Sequence, residues 1–531
     1  MSKSYSYLPY TETGYFSRLV NDYTSRNPGL EPFYEYTPDV VGIARAISER
    51  RAFPVDRQRL VTALSLQYSG VAAPPAVLDN IQLLLEETTY TVTTAHQPNL
   101  LTGYLYFIYK ILHAIKLTEE LNRKHPGKHF VPVYYMGSED NDIEELGVFR
   151  YGGEQFVWDG NGQSGAVGRM SPAGLKPLID KLFRVMGPPG DYCDRLKDIL
   201  SRAYLSHATI GAATRFLVNE LFGAYGLVVL DPDDATLKAA FIPVMEDELL
   251  HGNTFGIVNN QTVVLEQQYK AQMFPRPVNL FYLADQIRER IERQGDKWIV
   301  LNTQITFDKS QIISELHANP DRFSPNVALR GLYQETLLPN VAFIGGGAEV
   351  AYWFQLKPLF NHYNVFYPPV LLRQSVLWIT ETALALRKQI GLRLADIFLD
   401  PVTLERNYVA THSETDWQTG KEKESLEAIM NTLAVKAAAV DPTLGPSANA
   451  ALAKMRHQLV ILEQKMLRAE KRKLELGLRR IERLKKSLFP SGSLQERTEN
   501  FAEYYLTHGA AFFDTVKDGI LPLSEAFLII E

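Results

Sequence analysis

A chain of 531 residues is too long for one ordinary domain, and with 46% hydrophobic and 11% aromatic residues it can bury large cores, which argues against global disorder. The formal charge of −6 argues against a protein that coats nucleic acid through its overall field. The single cysteine, Cys193, excludes an intrachain disulfide framework and a multi-cysteine metal site, and reads as a small buried hydrophobe in preference to a catalytic thiol.

The N-terminal stretch M-S-K-S-Y-S-Y-L-P-Y has no apolar signal core, and no run approaches the ~18 apolar residues of a membrane helix. A reducing cytoplasm and no membrane are therefore expected. Helical spacing marks 39–51 and 76–87. The β-branched run T-Y-T-V-T-T-A (89–95) predicts a strand, and an amphipathic helix is expected after Gly103. A second strand at 130–137 is followed at once by S-E-D-N-D-I-E-E. Strand, helix, strand and polar loop make a βαβ unit, the building block of a parallel sheet covered on both faces.

From about 151 to 320, helices (172–185, 191–224, 234–252) mix with short strands (226–231, 278–283), as in a long insertion. Sheet and helix resume at 341–360. Residues 421–489 are rich in Glu, Lys, Arg, Leu and Ala, broken once by D-P-T-L-G-P at 441–446. Leu452, Met455, Leu459, Leu462 and Met466 alternate spacings of three and four, which predicts a coiled-coil seam. Leu474, Leu478, Ile481 and Leu488 resume on a shifted phase, as after a stutter. Between Lys465 and Lys486 there are ten Lys/Arg against three Glu, a solvated basic face or an anion-binding one.

Phosphate-loop, zinc-helix and nucleophile-elbow motifs are absent. What remains is polar clusters at the carboxyl ends of predicted strands, where open α/β sheets bind ligands. T-A-H-Q-P-N-L-L-T-G (94–103) supplies His96, Gln97 and Asn99, while Thr102 and Gly103 are expected to open a helix whose free N–H groups favour an anion. The competing reading is a plain helix cap.

The second cluster is Ser138, Glu139, Asp140 and Asp142, crowded carboxylates that call for an amine, a cation or a proton. Gly345, Gly346 and Gly347 with Glu349, Tyr352 and Trp353 form the third, where glycines allow close backbone approach. Arg373 and Ser375 in L-R-Q-S form the fourth, with Arg373 suited to a carboxylate or phosphate.

In this order the clusters resemble a known family. T-A-H-Q-P-N-L-L-T-G-Y-L-Y-F-I-Y-K, M-G-S-E-D-N-D-I-E-E, the long block F-S-P-N-V-A-L-R-G-L-Y-Q-E-T-L-L-P-N-V-A-F-I-G-G-G-A-E-V-A-Y-W-F-Q-L-K-P-L-F and L-F-P-S-G-S-L-Q-E-R are similar to the bacillithiol biosynthesis cysteine-adding enzymes. The resemblance runs from about residue 90 to the C-terminus. It implies a Rossmann-like parallel-sheet core like that of class I nucleotidyltransferases, with insertions, and a C-terminal coiled coil that mediates homodimerisation.

The organisation expected from it is a first core part with a helical N-terminal segment (1–150), insertions (151–320), a second core part (321–420), the coiled-coil arm (421–490) and a segment returning to the core (491–531). The implied reaction joins cysteine to the amine of glucosaminyl-malate, the last step of bacillithiol synthesis, with ATP or another nucleotide as a possible activator and a metal left open. His96, Glu139 and Asp140 are then the catalytic candidates. Gln97, Asn99, Thr102, Gly103, Ser138, Asp142, Gly345, Gly346, Glu349, Tyr352, Arg373 and Ser375 are the candidates for holding substrate or nucleotide.

The chain departs from the family pattern at His96-Gln97 in place of Gln-Gln, at Asn141 in place of a His, and at G-G-G-A-E in place of G-G-P-G-E. Asn141 cannot be a general base, so that role falls to His96, Glu139 or Asp140. The alternative is an RNA-binding or tRNA-handling protein that uses the basic arm, although polar clusters on the core argue against it.

Overall fold

The computed structural model describes residues 3–531, which divide into two compact units, one of residues 15–378 and 493–530 with the N-terminal residues up to Thr11, and one formed chiefly by residues 379–492. At the centre of the first unit lies a five-stranded, all-parallel sheet. Strand β1 (Thr89–His96) leads into helix α1 (Leu105–Lys124) and strand β2 (His129–Met136), the predicted βαβ unit. Strands β3 (Val228–Leu230), β4 (Asn340–Gly345) and β5 (Val370–Leu372) complete the order β5-β4-β1-β2-β3.

Residues Thr89–Ala95 of β1 are all buried, as expected of a central strand covered on both faces. Its threonines survive there because they have partners: Thr91 and Thr93 hydroxyls donate to Asn340 Oδ1, and Thr94 donates to the Ile344 carbonyl. The chain runs from β1 towards β2 and β3 but from β4 towards β5. The carboxyl ends of β1 and β4 therefore flank a topological switch point, the usual ligand crevice of such sheets.

The insertion carries an antiparallel five-stranded sheet containing Leu280–Ala284, Ile287–Gln294 and Phe323–Pro325. After it come helix α2 (Val327–Leu337), then β4 and helix α3 (Gly347–Tyr363). The long helices predicted there are shorter in the structure. The 191–224 span breaks at His207–Thr209, where Thr209 caps the second helix, and the 234–252 span breaks before Ile242–His251, which carries Pro243 in its first turn. Ala526–Ile530 pairs antiparallel with Tyr5–Pro9 and parallel with Val376–Trp378, giving the first unit a third sheet.

In the second unit, helices α4 (Gly420–Val440) and α5 (Leu444–Lys473) pack as a hairpin around the predicted break at Asp441–Pro442. At the predicted phase shift the helix is interrupted: Leu474 leaves helical geometry and helix α6 (Glu475–Leu488) begins anew. No helix of the described residues is long and apolar enough to cross a membrane.

Candidate active site

A cavity of about 420 Å³ opens at the switch point. It is of small-ligand size. His96 and Gln97 reach it from the end of β1, Gly137, Glu139 and Asp140 from the end of β2, and Gly346, Gly347, Glu349 and Tyr352 from the turn into α3. Arg373 lines it from beyond β5. Three of the four predicted clusters thus converge, and the fourth contributes one arginine.

Several predicted residues are occupied elsewhere. Thr102 and Gly103 do not open the helix: Leu101 and Thr102 adopt left-handed backbone, α1 starts at Leu105, and the Leu105 N–H donates to the Glu499 carbonyl at 2.9 Å. Asn500 clamps this turn by donating to the carbonyls of Leu101 and Gly103. With its first amide taken, the expected anion site at this turn is not formed, and neither these residues nor Asn99 lines the cavity.

Ser138 is buried and donates to Asp231, and Asp142 caps the short helix Ile143–Leu146 at the surface. Gly345 is packed too tightly for a side chain, because a Cβ there would sit 2.9 Å from that of Glu349, and its carbonyl accepts from the Arg373 N–H. Arg373 itself is 4% exposed in its side chain and forms a bidentate pair at 2.7 and 2.8 Å with Glu496, whose side chain is 0% exposed. Ser375 donates to the same carboxylate at 3.1 Å. Arg373 and Ser375 therefore hold the C-terminal segment in place, and Arg373 acts on the cavity through its field.

The acidic loop also sorts itself by geometry. Asp140 Oδ1 accepts from the N–H groups of Asn141 and Asp142, and its Oδ2 accepts from Gln97 at 3.0 Å, so this carboxylate holds the loop's shape. Glu139 is tied at one oxygen only, by Lys238, and its other oxygen has no partner among the described residues. Burial pushes the Glu139 carboxyl above its ordinary range while the Lys238 ammonium pulls it back. Burial, reinforced by the positive fields of Lys110, Arg330 and Arg373, holds the His96 imidazole well below its usual range. His96 is thus neutral near pH 7 and can accept a proton or hydrogen bond, but it is no acid there.

The residues missed in the sequence are mostly cationic. Lys110, on α1, is buried and donates to the Ala95 carbonyl at 3.0 Å and to Glu349. Glu349 in turn accepts from the Gly346 N–H at 2.8 Å, pinning the glycine turn. Arg330, on α2, donates to the Tyr352 hydroxyl. Arg288, from the insertion sheet, donates to Asn141 Oδ1 at 2.9 Å.

Neither Arg288 nor Arg330 forms an ion pair among the described residues. Five buried polar atoms on cavity residues have no partner among the described residues: His96 Nε2, Tyr135 Oη, Arg288 Nε, Arg330 Nη1 and Arg373 Nε, the last on a guanidinium already paired with Glu496. Buried donors and unpaired charges are costly, so this arrangement suits a ligand that brings acceptors and negative charge. Periodicity gave no sign of these residues; only L-R-G within the long third block could have pointed to Arg330.

Among the described residues, no group of three or more His, Cys, Asp or Glu is placed to hold a metal ion. Parallel sheet, switch-point cavity and paired charges of both signs define a Rossmann-like α/β enzyme joined to a coiled-coil domain. Residues 4–374 match the family model described as bacillithiol biosynthesis BshC, N-terminal Rossmann-like domain, and residues 376–531 match the bacillithiol biosynthesis BshC C-terminal coiled-coil domain.

The chain therefore belongs to the BshC family of bacillithiol biosynthesis, a family of ligases. The "Putative cysteine ligase BshC" of Flavobacterium johnsoniae is 39% identical over 525 residues, covering 98% of this chain and 99% of the relative. The protein of the same name from Salinibacter ruber is 30% identical over 548 residues, covering 98% and 97%. That from Bacillus cereus is 27% identical over 514 residues, covering 94% and 95%.

Proposed function

We propose that this protein is a cytoplasmic ligase that joins the carboxyl group of cysteine to the amino-sugar nitrogen of glucosaminyl-malate, the last step of bacillithiol biosynthesis. The observation that carries the reading is the cavity's division of charge: an open carboxylate oxygen on Glu139 stands among the same lining residues as the unpaired guanidinium groups of Arg288 and Arg330. A substrate that carries both an ammonium and carboxylates meets both needs. Its amine docks against Glu139, and its carboxylates give the two arginines the partners they lack.

Amide formation from a free carboxylate in water is uphill, so the cysteine carboxyl is activated first. In this reading ATP supplies the activation, as an acyl phosphate with release of ADP or as an adenylate with release of pyrophosphate. The deprotonated amine then attacks the carbonyl carbon, and phosphate or AMP leaves. Neutral His96, Lys110 and the glycine turn before α3 face the developing negative charge.

Mass spectrometry after incubation with cysteine, glucosaminyl-malate and ATP, omitting each in turn, tests this. The amide should appear only in the complete mixture. Product without ATP would remove the activation step, and no product in any mixture would overturn the reading.

We also propose that the α4–α5 hairpin makes the protein a homodimer. Its groove of about 720 Å³ is lined by Leu426, Ile429, Met455, Leu459 and Leu462, and Ile429 is 59% exposed and Leu462 50%. A second copy would cover this apolar surface. Replacing Leu459 and Leu462 by Lys should give a monomer in light scattering whose melting stays cooperative; a surviving dimer would place the interface elsewhere.

A further inference from the structure

Lys238 is a buried charged residue that touches the cavity residue Glu139 and that the reaction as described leaves without a role. It lies in the five-residue helix Ala235–Ala239, about a hundred residues from Glu139, and its side chain is 0% exposed. Taking an ammonium out of water is expensive unless it is paired and fully hydrogen-bonded. Lys238 is paired, and two of its three N–H groups are placed: it donates to Glu139 Oε1 and to the Phe323 carbonyl. The second bond anchors the strand Phe323–Pro325, which runs directly into α2 and Arg330. One ammonium thus ties the acidic loop to the element that carries the unpaired guanidinium.

We propose that Lys238 is a positioning residue for the reaction: it holds Glu139 as a carboxylate with Oε2 turned to the cavity, ready to take the proton of the substrate ammonium. This inference rests on the ligase reading. The step is a single proton transfer: R–NH3+ and the Glu139 carboxylate become R–NH2 and the carboxylic acid, while Lys238 keeps its charge throughout.

Other groups face Glu139, and their signs are mixed. Asp233 raises its proton affinity and Arg288 lowers it, while Arg169, Tyr135 and Tyr333 feel its charge. Asp233 is itself engaged bidentately by Arg169. Among the described residues, Lys238 alone hydrogen-bonds the carboxylate. Without it, burial and Asp233 would be opposed only by the more distant Arg288, and Glu139 would keep its proton, unable to accept another.

Lys238→Met, similar in volume and uncharged, tests the idea. Infrared difference spectra with the Glu139→Gln spectrum subtracted separate a carboxylate from a carboxylic acid and require no substrate. The wild-type protein should show a carboxylate at pH 7. Lys238→Met should show a carboxylic acid there, ionising about 1–3 pH units higher than in the wild type.

The acid limb of product formation should move up by the same interval, with activity recovering in alkaline buffer, which a merely structural loss would not do. A carboxylic acid in the wild type, or a carboxylate in Lys238→Met with an unmoved acid limb, would overturn the proposal. If Lys238→Met does not fold, the wild-type spectrum still decides whether Glu139 is held ionised. If the wild-type protein forms no amide, the ligase reading fails and takes the proton-accepting role with it, while the spectra still judge the ion pair separately.

Discussion

Two groups of buried polar side chains border the same cavity, and they differ in one respect. Around Arg373 every group but one is closed: the guanidinium pairs with Glu496 and leaves only its Nε without a partner, Ser375 donates to that carboxylate, and His113 accepts from the Gln374 N–H while its other nitrogen donates to the Pro522 carbonyl. Around Arg330 the bonds are left open, with unpartnered atoms on Arg330, Arg288, His96 and Tyr135. Residue type does not separate the two groups, since each contains arginine and histidine. What separates them is the counter-ion: a guanidinium that holds a buried carboxylate keeps the fold together, and guanidinium groups with none are left for a ligand.

Glu139 joins the two kinds, with one oxygen closed by Lys238 and one open, and it should give the largest effect. Glu139→Gln is expected to lower turnover per folded enzyme on the order of 10²–10⁴-fold, and its melting temperature should also fall because the buried Lys238 ammonium loses its counter-ion. Near-normal rates would remove Glu139 from the chemistry.

Arg373→Met should act the opposite way, on stability first. It strands the Glu496 carboxylate in the interior, at a cost of about 3–5 kcal/mol, read from denaturant unfolding. A fully stable variant that fails only to bind ligand would move Arg373 to the open group.

The two histidines sharpen the comparison through pH. Burial holds His113 down at about 4, against an ordinary value of 6.5. Between those values the unfolded chain takes up a proton that the folded chain refuses, so stability falls as pH drops from 6.5 towards 4 and this loss levels off below. The difference corresponds to about 3 kcal/mol. His113→Gln should flatten that part of the stability–pH curve, and an unchanged curve would assign the dependence to other groups.

Arg330→Met should have the smallest effect on the free protein, because it removes a charge that has no ion-pair partner. Binding of an anionic ligand such as malate should weaken by roughly 1.5–3 kcal/mol, about ten- to a hundredfold, in calorimetric titration. Unchanged affinity together with lost stability would make Arg330 a structural residue.

Periodicity and local chemistry carried much of this in the chain itself. The near-continuous apolar runs of β1 and β2, with a helix between them, announce a parallel sheet, and the spacing of Leu452 to Met466 announces a coiled coil, because both patterns repeat over neighbouring residues. His96, Glu139 and Glu349 were legible for the same reason: each lies at the carboxyl end of a strand or within four residues beyond it, where a parallel sheet delivers polar groups to its edge. Thr102 and Arg373 satisfied the same rule and still went elsewhere, since the Glu499 carbonyl claimed the first amide of α1, at Leu105, and Glu496 claimed the Arg373 guanidinium, each partner more than a hundred residues away.

Whether a polar group is closed or open depends on partners that only the folded chain brings near. Lys110, Lys238, Arg288 and Arg330 come from four separate elements, and no local pattern distinguishes them from solvated surface residues. The sequence by itself determined the sheet, the arm and the loops that carry the chemistry, because these follow from backbone periodicity. The tertiary structure alone decided which charges are spent on holding the fold and which remain for a ligand, because burial and pairing are set by long-range contacts.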